Sequence, residues 1–261
     1  MGGDRRLAFA VVIGLLAACG PNAGSAAPSV APSASVATPA GSQAAVLPVL
    51  GEGDLRPLPA GTFVTGPNGF LTGLTITIPD GWESTETDSG EISLAPAGQP
   101  DRKLLIWKDL VAVAPGKLNG PAGATLPNVG RTADALITWL TTTPDFKVLS
   151  GPTDRTVGGS IAGKELTVVT SDTANFGDPG CPDNPRCAAF FTDPDHWNGD
   201  FYAIGGDEQA RIFIATMHFP DADHVLFVTL DCLNADELAK FAPIAEPIIA
   251  SLRLPATFLG N

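Results

Sequence analysis

Apolar and polar positions alternate along residues 70–78. Leu74, Ile76 and Ile78 fall on one side of an extended chain and Thr75 and Thr77 on the other, which predicts a strand over 70–78. Pro79-Asp80-Gly81 supplies a turn, and Trp82 is placed to cover the end of the sheet. Two further strands are expected at 91–95 and 103–113, the second interrupted near Asp109, and 116–130 reads as loop. Thr132 can cap a helix whose Ala133, Leu136, Ile137 and Leu140 recur at helical spacing, and which must end before Pro144. Strands are expected again at 146–156 and 164–171, joined by a hairpin-like connection through Gly158 and Gly159. Segments 211–219 and 224–232 are apolar on both faces, the mark of strands covered from two sides. Asn234 and Glu237 form a capping-box pair that opens a second helix with an apolar stripe through Leu238, Phe241, Ala245, Ile248, Ile249 and Leu252. Pro243 and Pro247 are expected to kink or split that helix.

Strands, helix, strands, helix is the order of an α+β fold: a mostly antiparallel sheet flanked by helices. This body is expected over 62–261 as a single domain. What precedes it is different in kind. Arg5 and Arg6 stand before an uncharged apolar run, Leu7–Ala18, which is too short to span a bilayer and suits a signal peptide over 1–18. The run ends in Leu16-Ala17-Ala18-Cys19, which resembles the bacterial lipoprotein lipobox. The resemblance implies cleavage before Cys19 and diacylglycerol on its sulfur, so that the mature protein is tethered to the extracytoplasmic face of the cell membrane. Residues 19–61 read as the tether. From Gly20 to Ala45, 21 of 26 residues are Ala, Pro, Ser or Gly, a composition that cannot offset the entropy of ordering and stays a disordered, extended stalk.

Several short landmarks follow one another in the folded part. They are Ile78-Pro79-Asp80-Gly81-Trp82, the helix 132–140 followed by Pro144-Asp145-Phe146, Val157-Gly158-Gly159 with Gly163-Lys164-Glu165-Leu166, and the end Ile249–Leu254. Their order resembles a group of uncharacterised secreted proteins and lipoproteins of actinobacteria and Chloroflexi. That resemblance implies an α/β/α sandwich similar to the Mog1/PsbP-like fold, whose members act mainly by binding other proteins. It implies no catalytic motif.

Composition narrows the function classes. The chain of 261 residues carries 28 acidic and 15 basic side chains, a net charge of −13, without the basic patch that nucleic acid requires. Thirteen of the acids lie between Asp172 and Glu237 against Arg186 and Arg211 alone, so this region is expected either to face a cationic partner or simply to be a solvated surface. With Cys19 assigned to lipid, three cysteines remain. Cys181 and Cys187 bracket a short Pro-rich loop that a disulfide would staple, leaving Cys232 as a buried thiol; a bridge to Cys232 is the alternative.

Candidate chemistry is sparse. The chain has no P-loop, dinucleotide fingerprint, zincin or nucleophile-elbow motif, and no cofactor or metal is expected. The run 218–224 brings His218, Asp221, Asp223 and His224 together, but Pro220 and the acids also suit a hairpin turn between two strands. Asp193, Asp195, His196 and Trp197 suggest a calcium loop without meeting its spacing; they are read as an exposed loop for partner contact. The expectation is a lipid-anchored module that binds an envelope protein or other envelope component without catalysis. The alternative is a small-molecule-binding protein or a hydrolase whose site is assembled from scattered residues.

Overall fold

Extended segments rich in β-branched and aromatic residues outnumber helical ones, and the fold follows from that excess. The structure, a computed structural model, describes residues 46–50, 56–66, 71–87, 91–116, 124–174, 186–194, 201–219 and 222–255. The strands are β1 (Val49–Leu50), β2 (Arg56–Leu58), β3 (Gly61–Thr65), β4 (Thr75–Ile78), β5 (Trp82–Thr87), β6 (Glu91–Pro96), β7 (Arg102–Lys108) and β8 (Val111–Ala112). After α1 (Ala133–Thr142) come β9 (Phe146–Val157), β10 (Ile161–Thr170), β11 (Cys187–Thr192), β12 (Tyr202–Gly205), β13 (Gln209–His218), β14 (Asp223–Cys232) and α2 (Ala235–Ser251).

Eight strands form one antiparallel sheet in the order β2-β5-β6-β7-β14-β13-β10-β9. Two three-stranded sheets, β1-β3-β4 and β12-β11-β8, accompany it. Side chains of β7 and β14 alternate between two separate cores, as pleating requires. Leu104, Ile106, Leu226 and Val228 pack with α2 and with Phe63, Ile76 and Ile78 of the first small sheet. Leu105, Trp107, Val225 and Phe227 pack with α1 and with Phe190 and Ile204 of the second.

The expected fold class is therefore corrected. Strands hold 51% and helices 16% of the described residues, and the fold is mostly β, not an α+β α/β/α sandwich. The physical reason is that each face of the large sheet is covered by one helix together with a small sheet, where a sandwich would need a helical layer. The expected reading missed β11 and β12 altogether. It also placed the tether up to residue 61, whereas Val49–Leu50 pairs with β3 and Arg56–Leu58 with β5. Residues 45–261 form one compact unit. Residues 1–45, which hold the expected signal peptide and most of the expected tether, lie outside the described residues.

Both helices start where their caps place them. Thr132 Oγ1 accepts from Ala135 N at 3.3 Å, and Asn234 Oδ1 accepts from Glu237 N at 3.0 Å. Pro243 and Pro247 do not split α2; both lie within one helix running to Ser251. The carbonyls that lose partners are those of Ala239 and Pro243, and both residues sit on the exposed side, where water can satisfy them. The chain then returns to β4, with Arg253 N donating to Thr75 O at 3.0 Å and Thr75 N donating to Arg253 O at 2.9 Å. At its two borders the large sheet ends in β2, which contains Pro57, and in β9, which contains Pro152.

Candidate functional site

The β9–β10 hairpin turns through Gly158 and Gly159, whose φ angles of 60° and 78° lie in the left-handed region that favours glycine. Beside it Gly163 lets β13 approach: a Cβ there would stand 2.5 Å from the Ile214 carbonyl oxygen. This close approach positions a groove of about 590 Å3 between the start of α1, the hairpin and β13. Ala133, Ile137, Ala162 and Ile214 give it an apolar floor, and Asp134, Asp154, Lys164 and Thr216 polar walls. Lys164 Nζ lies 2.8 Å from Asp154 Oδ1. That hydrogen bond and charge hold the Asp154 carboxyl below its ordinary range and raise the Lys164 ammonium, with Asp134 adding to the latter. Thr216 Oγ1 accepts from Ala133 N at 3.1 Å, tying the first turn of α1 to β13. Lys164 and Asp154 pair with each other, and Asp134 acts on Lys164 from the start of α1, which suits binding of a chain segment with charges of both signs better than focusing on one reacting atom.

The opposite side of the hairpin carries a four-membered ion network. Glu165 bridges Arg155 and Arg211, the latter at 2.9 Å, and Arg155 reaches both oxygens of Glu246 on α2 at 2.6 and 2.7 Å. It fastens the helix to the sheet.

β13 and β14 pair antiparallel with His218 opposite Asp223; Pro220 and Asp221 lie outside the described residues. The two histidines do not converge. His218 Nδ1 lies 2.7 Å from Asp223 Oδ1 at the exposed end, while His224, one position along the pleat from Asp223, points to the other face and meets Asp109 Oδ2 at 2.5 Å. Asp109 sits where the predicted strand 103–113 breaks, with φ 57°, and its Oδ1 accepts from Val225 N at 2.9 Å. Among the described residues no group of three or more His, Cys, Asp or Glu is arranged to hold a metal ion.

The described acids of 172–237 have separate partners and surroundings. Asp172 and Asp207 flank Arg186 at 3.6 and 2.8 Å, Asp223 pairs with His218, and Asp231 is buried in β14. Asp193 lies half-buried just past the end of β11; Asp195, His196 and Trp197 lie outside the described residues. So do Cys19 and Cys181. Cys187 is disulfide-bonded and buried at the start of β11, while Cys232 is a free thiol with no access to solvent. Burial, reinforced by the neighbouring Asp231 carboxyl, pushes that thiol up to about 12.

One cluster escaped the sequence reading. Asp231, 8% exposed, faces Glu208 of the β12–β13 turn and Tyr202 of β12. Its signal was present: a single carboxyl inside the apolar run Val225–Cys232. Burial, then the Glu208 charge, drives the Asp231 carboxyl well above its ordinary range, and burial does the same to the Tyr202 phenol. Compared with known proteins, the chain matches no family model and no curated relative.

Proposed function

We propose that this chain is an exported lipoprotein, acylated at Cys19 and held at the outer face of the cell membrane, whose folded body binds an envelope protein or other envelope component. We further propose that it belongs with the secreted and lipoprotein group whose landmarks it resembles, and that Cys181 is the partner of Cys187. The observation that carries the binding role is the groove between α1 and the β9–β10 hairpin. An apolar floor with paired charges at its walls matches an extended segment carrying charges of both signs.

Two experiments test this reading. A Cys19→Ser variant is expected in the medium or periplasm, still folded; retention in the membrane fraction would refute the anchor. A photo-crosslinking residue at position 162 in the groove is expected to capture one envelope partner that Lys164→Glu no longer captures. A probe at position 244 on α2 is expected to capture none. Equal capture from both positions, or none from either, would refute the groove as the binding surface.

A second reading, a hydrolase with a scattered site, is favoured by the His224–Asp109 pair, because a carboxylate that fixes Nδ1 leaves Nε2 free to act as a base. Activity on an ester panel that His224→Gln abolishes would establish it.

A further inference from the structure

Asp231 stands in the wall of the second core, where ordinary packing would place a hydrophobe. Its neighbours along the strand, Leu230 and Cys232, are 1% and 0% exposed. Across the sheet it is in register with Ala210 of β13 and Lys103 of β7. Its Oδ1 and the Tyr202 hydroxyl are both shielded from solvent, and neither has a well-aligned hydrogen-bond partner, though the two groups face each other. Tyr202 cannot turn away, because its ring is wedged edge-on between Trp107 and Phe190, with centroids 4.6 Å from each. Glu208 has a second task. Its Oε2 accepts from Gly205 N at 2.8 Å and its own N–H donates to Gly205 O at 3.0 Å, so the same carboxylate that faces Asp231 closes the turn 205–208.

A buried carboxyl such as Asp231, with the half-buried carboxylate of Glu208 beside it, cannot carry its charge without a large electrostatic cost. We propose that Asp231, Glu208 and Tyr202 form a proton latch: a single proton on Asp231, donated to Glu208, fastens the β12–β13 turn to the core, and its loss as pH rises releases that turn. The charged groups around the site fit this arrangement. Lys103, on the neighbouring strand β7, is the one cation acting on Asp231 and is itself exposed; Glu208 and the phenol of Tyr202 face Asp231 from the turn and from β12. Cys232, next along β14, points into the other core, where Arg102 and Glu237 act on it. When the proton leaves for solvent, two carboxylates remain together. The half-exposed Glu208 is the one free to swing out, and its bond to Gly205 N breaks with it.

The test is amide hydrogen exchange of the full-length protein as a function of pH, corrected for intrinsic rates. Opening that releases one proton should rise about tenfold per pH unit from the ordinary carboxyl value of about 3.9 up to the raised value of the closed latch, and level off above it. Protection at 205–208 is expected to fall on that slope while the amides of β10 hold theirs, and Asp231→Asn is expected to remove the slope. A second measurement stands independently of whether that variant folds. The wild type should show a protonated-carboxyl C=O stretch in the infrared at pH 7 that Glu208→Gln shifts. No such band, a band insensitive to Glu208→Gln, flat protection across pH, or an unchanged slope in Asp231→Asn would each overturn the latch.

Discussion

The carboxylate of Asp109 holds the imidazole of His224 with one oxygen, 2.5 Å from Nδ1, while the other accepts the N–H of Val225. Asp109 N in turn donates to Val225 O at 2.8 Å, so one residue in a left-handed conformation fixes the point where β7 gives way to β8. Asp109→Ala keeps the unfavourable φ and loses both side-chain bonds. It is expected to destabilise the fold by about 1–3 kcal/mol. Asp109→Gly relieves the backbone and should recover part of that loss. Urea unfolding of the two variants checks the order; equal midpoints would show that the conformation carries no strain.

Glu165 sits between two guanidinium groups with 20% of its side chain exposed. Glu165→Gln leaves Arg155 and Arg211 in a half-buried site with only Glu246 to share, at a cost of about 1–2 kcal/mol, between that of a surface pair and a buried one. A double-mutant cycle with Arg155→Met isolates the pairwise contribution. A coupling near zero would mean that the Glu165–Arg155 pair adds nothing to the stability of the hairpin.

Glu237 gives the fold a dependence on acid. Hydrogen bonds from Lys240 and then Arg102 hold its carboxyl below the ordinary range. A group lowered on folding contributes stability above its unfolded value of about 4.3 and loses it as pH falls through the folded value. Glu237→Gln is therefore expected to lower the urea midpoint at pH 7 and to match the wild type in strong acid. An identical deficit at both pH values would assign the loss to the helix start and not to charge.

The cysteines separate by chemistry. Cys232 is buried with a thiol raised to about 12, so alkylating reagents at pH 8 are expected to spare it until denaturant is added. Non-reducing mass mapping should return a Cys181–Cys187 peptide. A peptide linked through Cys232 would overturn the pairing.

Much of the strand pattern was readable because pleating leaves a period of two. β4, β6, β13 and β14 show it or its doubly covered form, and the caps at Thr132 and Asn234 marked both helix starts. The second small sheet was hidden for a physical reason. Cys187–Thr192 is buried at every position, so it has no alternation to read, and Asp and Pro residues crowd the stretch before it. The continuity of α2 is not legible in its sequence, because Pro243 and Pro247 interrupt a helix or not according to which side their missing bonds fall on, and here that side is exposed. The groove walls come from residues 134, 154, 164 and 216, which only the sheet order brings together. The Asp231 cluster likewise joins β12, a turn and β14, a neighbourhood no local pattern encodes.

The two borders of the large sheet have one more consequence. A strand at a border offers its spare backbone groups to any passing chain. Here one border is three residues long and contains Pro57; the other contains Pro152, with Lys147, Asp154 and Arg155 along its length. Neither proline has an N–H to give. Both ends of the large sheet are therefore poor templates for a further strand, and growth of that sheet from one copy into the next is discouraged at either side.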